Sequence, residues 1–358
     1  MPDMANPLTP DVMSDPVALT RALVDIESVS LHEKEIADCV EEVLRAAPHL
    51  SVQRYGNTVM ARTDLGRSQR VVLAGHLDTV PLNDNFPASI QGDLIYGCGT
   101  ADMKSGVAFA LHLAVSVPEP RFDVTYFFYE AEEVDSQYNG LTLVAAAHPE
   151  WLTADFAVLL EPTYGVVEAG CQGTLRAIVR TAGRRAHSAR SWRGINAIHA
   201  AGEVLRRLEA YEPRTVPIDG CTYREGLNAV RIRGGVAGNV VPDLCEIEVN
   251  YRFAPDRSEA EALAHVREVF DGFELEVVDS SGGALPGLSA PAAREFLAAV
   301  GEAPVAKLGW TDVARFAALG IPALNFGPGD PNLAHAPDEH VEIGKIRDGA
   351  ATLHRWLS

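Results

Sequence analysis

The stretch Val71-Val72-Leu73-Ala74-Gly75-His76-Leu77-Asp78 runs from apolar residues straight into a histidine and an aspartate. A second stretch, Tyr96-Gly97-Cys98-Gly99-Thr100-Ala101-Asp102-Met103-Lys104, is glycine-rich and ends on another aspartate just before a helical pattern. Glu132 and Glu133 follow as an adjacent pair, and Glu161 comes later. Imidazole and carboxylate are ligands for a hydrolytic metal site, which also needs an open position and a base for the attacking water. Two metals about 3.5–4 Å apart need a shared ligand, and a carboxylate can bridge them with its two oxygens. His76 is a candidate ligand and Asp102 a candidate bridge. Asp78 lies two residues on in an extended segment, on the same side of the chain as His76, and can hold its imidazole tautomer. Glu132 and Glu133 point different ways, so one can bind metal while the other faces the water. Singly, an H-x-D or a Glu-Glu pair is common on a solvated surface; the joint pattern carries the reading.

These residues need elements that end at one edge. Arg70 to Ala74 is β-branched without polar alternation, the pattern of a strand buried on both faces. Phe122–Tyr129 and Phe156–Leu160 are two more such strands, ending at Glu130 and Glu161. Lys104–Val115 and Leu141–Ala147 read as helices between them. Alternating strands and helices predict an α/β domain with a largely parallel core, whose ligand sits beyond the carboxyl ends of the strands. His76, Asp78, Glu132, Glu133 and Glu161 all follow such ends. Upstream, Asp15-Pro16 marks a helix start. Ser30-Leu31-His32-Glu33 reads as the capping box of a second helix. Val52–Tyr55 and Thr58–Arg62 read as a hairpin around Gly56-Asn57.

After Gly173 the pattern changes. Strands at Thr174–Thr181, Asn228–Arg233, Leu244–Phe253 and Phe273–Val278, with helices at Asn196–Tyr211 and Ser258–Phe270, give the order β-α-β-β-α-β of a ferredoxin-like domain. Ser280-Ser281-Gly282-Gly283 reads as a linker back. Ala290–Val300, Thr311–Leu319, Pro322–Phe326 and Ile343–Leu357 then resume the α/β pattern. The expected fold class is α/β. A catalytic domain of residues 1–173 and 283–358 has a helix-covered, mixed and largely parallel sheet. An inserted ferredoxin-like α+β lid and dimerisation domain takes 174–282.

At 358 residues the chain is long enough for two domains. Its net charge of −19 disfavours nucleic acid and anionic membrane as partners. The charge is uneven, however: Thr174–Phe253 holds thirteen arginines, no lysine and eight acids. A cationic inserted domain suits a carboxylate-bearing small-molecule substrate, although a solvated arginine surface explains the count as well. Five widely spaced cysteines and no C-x-x-C argue against a disulfide framework. With neither an apolar leader nor a spanning run, a cytoplasmic protein is expected.

The motifs His76-Leu77-Asp78-Thr79-Val80-Pro81, Gly97 to Gly106, Glu132-Glu133, Glu161-Pro162-Thr163 and Ala334-His335 resemble the aminoacylase-like, cocatalytic zinc amidohydrolases. That family includes carboxypeptidases, acetylornithine deacetylases and succinyl-diaminopimelate desuccinylases. The stretches Gly170–Gly173, Arg185–Trp192, Thr222–Asn228, Asn250–Pro255 and Gly309–Asp312 are most similar to the desuccinylases. The resemblance implies two zinc ions, with cobalt able to substitute. His76 and Glu161 would bind one, Glu133 and His335 the other, with Asp102 bridging. Glu132 would be the general base and Asp78 the orienter of His76. His187 would stabilise the oxyanion, from the partner subunit in dimeric relatives. Arg252 would bind a substrate carboxylate, with Asn239 and Thr311 near it. A cis peptide after Asp102 and a homodimer formed through the lid are also implied. The implied reaction is hydrolysis of N-succinyl-LL-2,6-diaminopimelate; a deacetylase or dipeptidase activity is the alternative. One departure is that some desuccinylases carry an arginine pair where Cys171-Gln172 stands here, so Arg190 or Arg193 is the substitute candidate for the succinyl carboxylate. Outside the family, a non-catalytic binding protein is disfavoured by the intact Glu132. A magnesium phosphoryl-transfer site is disfavoured by the histidines.

Overall fold

The computed structural model describes residues 6–358, and the chain divides into two compact units. The first takes in the chain through Ala169 together with Gly287–Val305 and Arg315–Ser358; the second takes in Gly170–Pro286 and Ala306–Ala314.

The first unit is built on an eight-stranded mixed sheet. Strands β1 (Ser51–Tyr55) and β2 (Thr58–Arg62) form the antiparallel hairpin expected around Gly56-Asn57. They are followed by β3 (Arg70–His76), β4 (Asp123–Tyr129) and β5 (Phe156–Leu159). The spatial order is β1-β2-β4-β3-β5, then Ala323–Asn325 and two short edge strands. From β4 through β3 and β5 to Ala323–Asn325 the strands are parallel, while β2 meets β4 antiparallel. β3 is buried from Val71 to His76 and β4 along its whole length, which is why neither alternates polar and apolar residues.

Helix α1 (Pro16–Val24) starts as expected, with the Asp15 side chain accepting from the Val17 amide. Helix α2 (Lys34–Ala46) turns a strongly amphipathic face inward. Helix α3 (Ser105–Ser116) is apolar around most of its surface and buried. A Cβ at its Gly106 would collide with the Leu160 carbonyl oxygen, so glycine lets α3 lie directly on the exit of β5. The capping box expected at Ser30–Glu33 does not form. Glu33 itself is the N-cap and makes no side-chain cap bond. Ser30 Oγ instead donates to Asp78 Oδ2 (2.7 Å), and Glu33 Oε1 accepts from the Leu31 and Ala131 amides.

The second unit contains β6 (Gly173–Ala182), helix α4 (Ala197–Glu209), β7 (Gly226–Gly234), β8 (Leu244–Phe253), helix α5 (Glu259–Val269) and β9 (Glu274–Ser281). Its sheet is antiparallel in the order β7-β8-β6-β9, a ferredoxin-like arrangement. Leu175, Ala177, Val179, Ile247, Val249 and Tyr251 pack from one face against Ala201 and Val204 of α4 and Val266 of α5. Two sequence expectations shift here. Ser280 and Ser281 pair with Leu175 and Thr174 and belong to β9 rather than to a linker. Residues Ala306–Ala314 pack with this unit: Gln172 N donates to Lys307 O (3.3 Å) and Trp310 Nε1 to Gly282 O (3.1 Å). Part of the arginine surplus is also taken up in surface pairs, Arg180 with Glu246, Glu274 and Glu276, and Arg185 with Asp243.

Glu225 is a buried acid of this unit. Its carboxylate accepts from Arg214 (2.7 Å), Tyr251 Oη (3.0 Å) and the Ala254 amide (3.1 Å). Burial opposes its charge, but Arg214, Ala254 and Tyr251 hold its carboxyl below the usual glutamate range. A depressed folded value means stability that is complete above the unfolded value of about 4.3 and is lost as pH falls through the folded one. Glu225→Gln is expected to cost about 2–3 kcal/mol at pH 7 in urea unfolding, with the gap to the parent closing below about pH 4.

Candidate active site

β3 delivers His76, buried at its last position. The imidazole Nδ1 lies 3.0 Å from the Asp78 carbonyl oxygen and 3.4 Å from its Oδ1. On the other side of the ring, Nε2 is 3.2 Å from Asp102 Oδ1. The glycine-rich loop presents Asp102 just before α3, and the Asp102–Met103 peptide bond is cis, as the resemblance implies. The second Asp102 oxygen, Oδ2, is 3.6 Å from His335 Nε2, which is also 2.7 Å from Glu133 Oε1. Ligand atoms of His76, Asp102 and Glu133 all lie within 4.8 Å of one another. One carboxylate thus faces two imidazoles, one on each oxygen, which is the geometry a bridging ligand needs.

The electrostatics follow from these contacts. Burial works against a charge on His76, yet Asp102 and Asp78 raise its pKa well above the usual histidine value. Burial likewise opposes ionised Asp102, and His335 and His76 hold it far below the usual carboxylate range. Asp102 and then Glu133 push His335 up to about 10. A histidine must be neutral to ligate, so a metal and these protons compete for the same nitrogens. Imidazole nitrogens mixed with carboxylates form a donor set that suits zinc-like ions better than magnesium.

Three buried carboxylates pin the loops that carry these side chains. Asp78 accepts from the amides of Glu132 (Oδ1, 3.0 Å) and Glu133 (Oδ2, 3.1 Å). Although burial opposes it, His76, the Glu132 amide and the Ser30 hydroxyl keep its carboxyl below the usual range. Glu33 takes the amide of Ala131 (3.1 Å), a residue at φ 58°. Glu339 takes the amides of Gly99 (3.0 Å), Ala101 (2.8 Å) and Asp102 (3.1 Å). Its carboxyl is pushed up to about 7 by burial, against those amides. Glu161 is buried two residues past β5, and Leu160 N donates to Ala74 O (2.9 Å), so it emerges beside Gly75-His76. The sequence reading singled out neither Glu33 as a loop anchor nor Glu339 at all.

The remaining candidates lie in the second unit. His187 sits on a short strand, Ala186–His187, paired with Val240-Val241. Its Nδ1 accepts from the Ala189 amide, and Ser188 N donates to Asn239 O (2.9 Å), which brings His187 and Asn239 together. Arg252, on β8, donates through Nε to Asn250 Oδ1 (3.2 Å). Burial and neighbouring Arg176 lower its pKa. Thr311 is buried, and its carbonyl accepts from Cys171 Sγ. Arg190 and Arg193 lie on the exposed turn Ser188–Arg193. Gln172 is buried and donates to Arg224 O (2.9 Å).

The profile of Peptidase family M20/M25/M40 matches residues 72–358. The chain belongs to this family. It is 57% identical over 350 residues to a Mycobacterium tuberculosis protein provisionally named a succinyl-diaminopimelate desuccinylase, covering 97% of this chain and 99% of that one. It is 51% identical over 360 residues to the succinyl-diaminopimelate desuccinylase of Corynebacterium glutamicum, covering 97% of each. Among solved structures it resembles the YXEP protein of Bacillus subtilis, described as a dinuclear metal binding peptidase of the M20 family. The TM-score is 0.68 at 17% identity, covering 97% of this chain and 98% of that one. The M20 match covers the segment in which Asp102 faces His76 and His335, and the fold places that carboxylate beyond the ends of three parallel strands.

Asp78→Asn replaces a carboxylate oxygen with an amide group that faces a backbone N–H. A metal-affinity loss of about 10–100-fold is expected, read by chelator competition at neutral pH.

Proposed function

We propose that the chain hydrolyses the amide bond of N-succinyl-LL-2,6-diaminopimelate, giving succinate and LL-2,6-diaminopimelate for lysine and diaminopimelate synthesis in the cytoplasm. The observation that carries this reading is the likeness, over nearly the whole chain, to the two desuccinylases. The metal is read as two zinc ions, with cobalt as a substitute. His76 and Glu161 would hold one and Glu133 and His335 the other, with Asp102, whose two oxygens face His76 and His335, as the shared ligand. When bound, zinc supplies Lewis-acid polarisation of the scissile carbonyl and makes water a better nucleophile.

The chain's own residues do the rest. Asp78 holds the Nδ1 side of His76, which leaves Nε2 for ligation. Through the Glu132 amide, Asp78 also fixes the main chain of the general base. Glu132 takes a proton from the attacking water and delivers it to the leaving amine as the C–N bond breaks. His187 stabilises the oxyanion of the tetrahedral intermediate. Arg252, Asn239 and Thr311 meet the substrate carboxylates. Gln172 is turned to the Arg224 carbonyl, and Arg190 or Arg193 is the candidate for the succinyl carboxylate.

A homodimer through the second unit is the proposed assembly. Its support is β7, an edge strand carrying exposed Val230 and Ile232 (57% and 51% exposed), and the exposed Ile198 and Leu205 of α4. An edge strand with β-branched residues facing outward invites pairing with another strand. No helix among the described residues is long and apolar enough to cross a membrane, and a net charge of −19 disfavours nucleic acid.

Zinc-loaded protein is expected to release succinate from the N-succinyl compound faster than acetate from acetylornithine; the reverse preference would overturn the substrate assignment. Glu132→Gln should lower kcat by about 10²–10⁴-fold with zinc content unchanged by elemental analysis. The double variant Val230→Asp, Ile232→Asp should sediment as a monomer.

A further inference from the structure

Glu339 has no part in the chemistry above, yet it is buried beside it. Its side chain is 2% exposed and accepts three amides from one loop: Gly99 on Oε2, and Ala101 and Asp102 on Oε1. Its main chain grips the same loop, since Gly97 N donates to Glu339 O (3.1 Å). In the other direction, Glu339 N donates to Ala336 O (3.1 Å), which closes the turn that begins just after His335. His335 itself stands at φ 65° and the loop passes through Gly99 at φ 81°. The pairing of His340–Glu342 with Leu94–Tyr96 brings the two segments together and ends just short of Gly97, and the turn Thr100–Lys104 departs from helical geometry at Asp102 and Met103, so beyond that pairing it is Glu339 that carries the contact on to Asp102.

We infer that Glu339 is a positioning residue that sets Asp102 and His335 at the mutual spacing a two-metal centre requires. It ties the bridging aspartate's own amide through its carboxyl group, and the turn of the far histidine through its backbone amide, to a single residue. The 3.6 Å between Asp102 Oδ2 and His335 Nε2 is the distance under its control. The role rests on the dinuclear reading of the site. It also predicts what a neutral substitute does. Glutamine keeps one oxygen for Ala101 and Asp102 but turns an N–H donor toward the Gly99 N–H. Alanine leaves all three amides buried without an acceptor.

The test compares Glu339→Gln and Glu339→Ala with the parent, stripped of metal and titrated with zinc against a chromophoric chelator. Asp123→Asn is the control. Asp123 is equally a buried acceptor of loop amides (Leu65 at 2.6 Å, Arg67 at 2.9 Å), at the opposite end of β4. Glu339→Gln should weaken one of the two zinc equivalents by about 10–100-fold. Its kcat should fall while KM holds, and the visible absorption of the cobalt-substituted protein should change. Glu339→Ala should be weaker still. Asp123→Asn should lose thermal stability and keep both zinc affinities. Glu339 variants that bind both equivalents like the parent overturn the role and leave the metal reading intact. Equal affinity loss in Asp123→Asn also overturns it. A parent that binds fewer than two zinc ions overturns both.

Discussion

The site depends on how buried backbone amides are satisfied where β3, β4 and β5 end. There the chain leaves the sheet, its N–H groups lose their strand partners, and burial denies them water. Carboxylates take that place. Asp78 receives Glu132 and Glu133, Glu33 receives Ala131, and Glu130 receives Asn57. Because the acceptors are acids, fixing the loops also concentrates negative charge. The carboxyls of Glu33 and Glu130 are raised by burial, and nearby acids add to the effect. A region so arranged favours cations, and a bound divalent ion would be its largest compensating charge. The same group that holds a loop in place therefore also prepares the field for what the loop binds.

Much of this was legible in the sequence, for physical reasons. β3 and β5 are buried on both faces, so they read as apolar runs, and the polar residue ending each run stands out. That makes His76, Asp78 and Glu161 visible, and the parallel order then places them on one edge. Glu339 was not legible, because an acid that accepts three amides looks in sequence like any solvated acid. Ser30 and Glu33 were misread for a related reason. Their spacing matches a local cap, but their partners are Asp78 and Ala131 on other elements, and only the tertiary fold decides between the two. Ser280 and Ser281 look like turn residues, yet the register with β6 extends β9 through them.

The second unit shows a different division of labour. One face of its sheet packs on α4 and α5 and supplies the core. The other face carries Thr174, Arg176, Asn250 and Arg252 at neighbouring register positions, a polar surface of mixed donors. Arg252 owes its lowered pKa first to burial and then to Arg176 beside it, and a carboxylate ligand would relieve both. The expectation of a broadly cationic lid is thereby narrowed. Arg180, Arg185 and Arg214 already have acid partners, so the charge that matters is local rather than global.

The hydrogen bond from the Asp102 amide to Glu339 joins residues 237 positions apart. During synthesis the glycine-rich loop is therefore made long before the residue that clasps it. The four acids at the sheet edge, Asp78, Glu132, Glu133 and Glu161, and the whole second unit are already on the growing chain by then. Until the segment leading into the helix Ile343–Leu357 follows, Asp102 has neither its anchor nor its second imidazole. The order of the chain thus delays assembly of the high-charge centre until nearly everything that could shield it has been made.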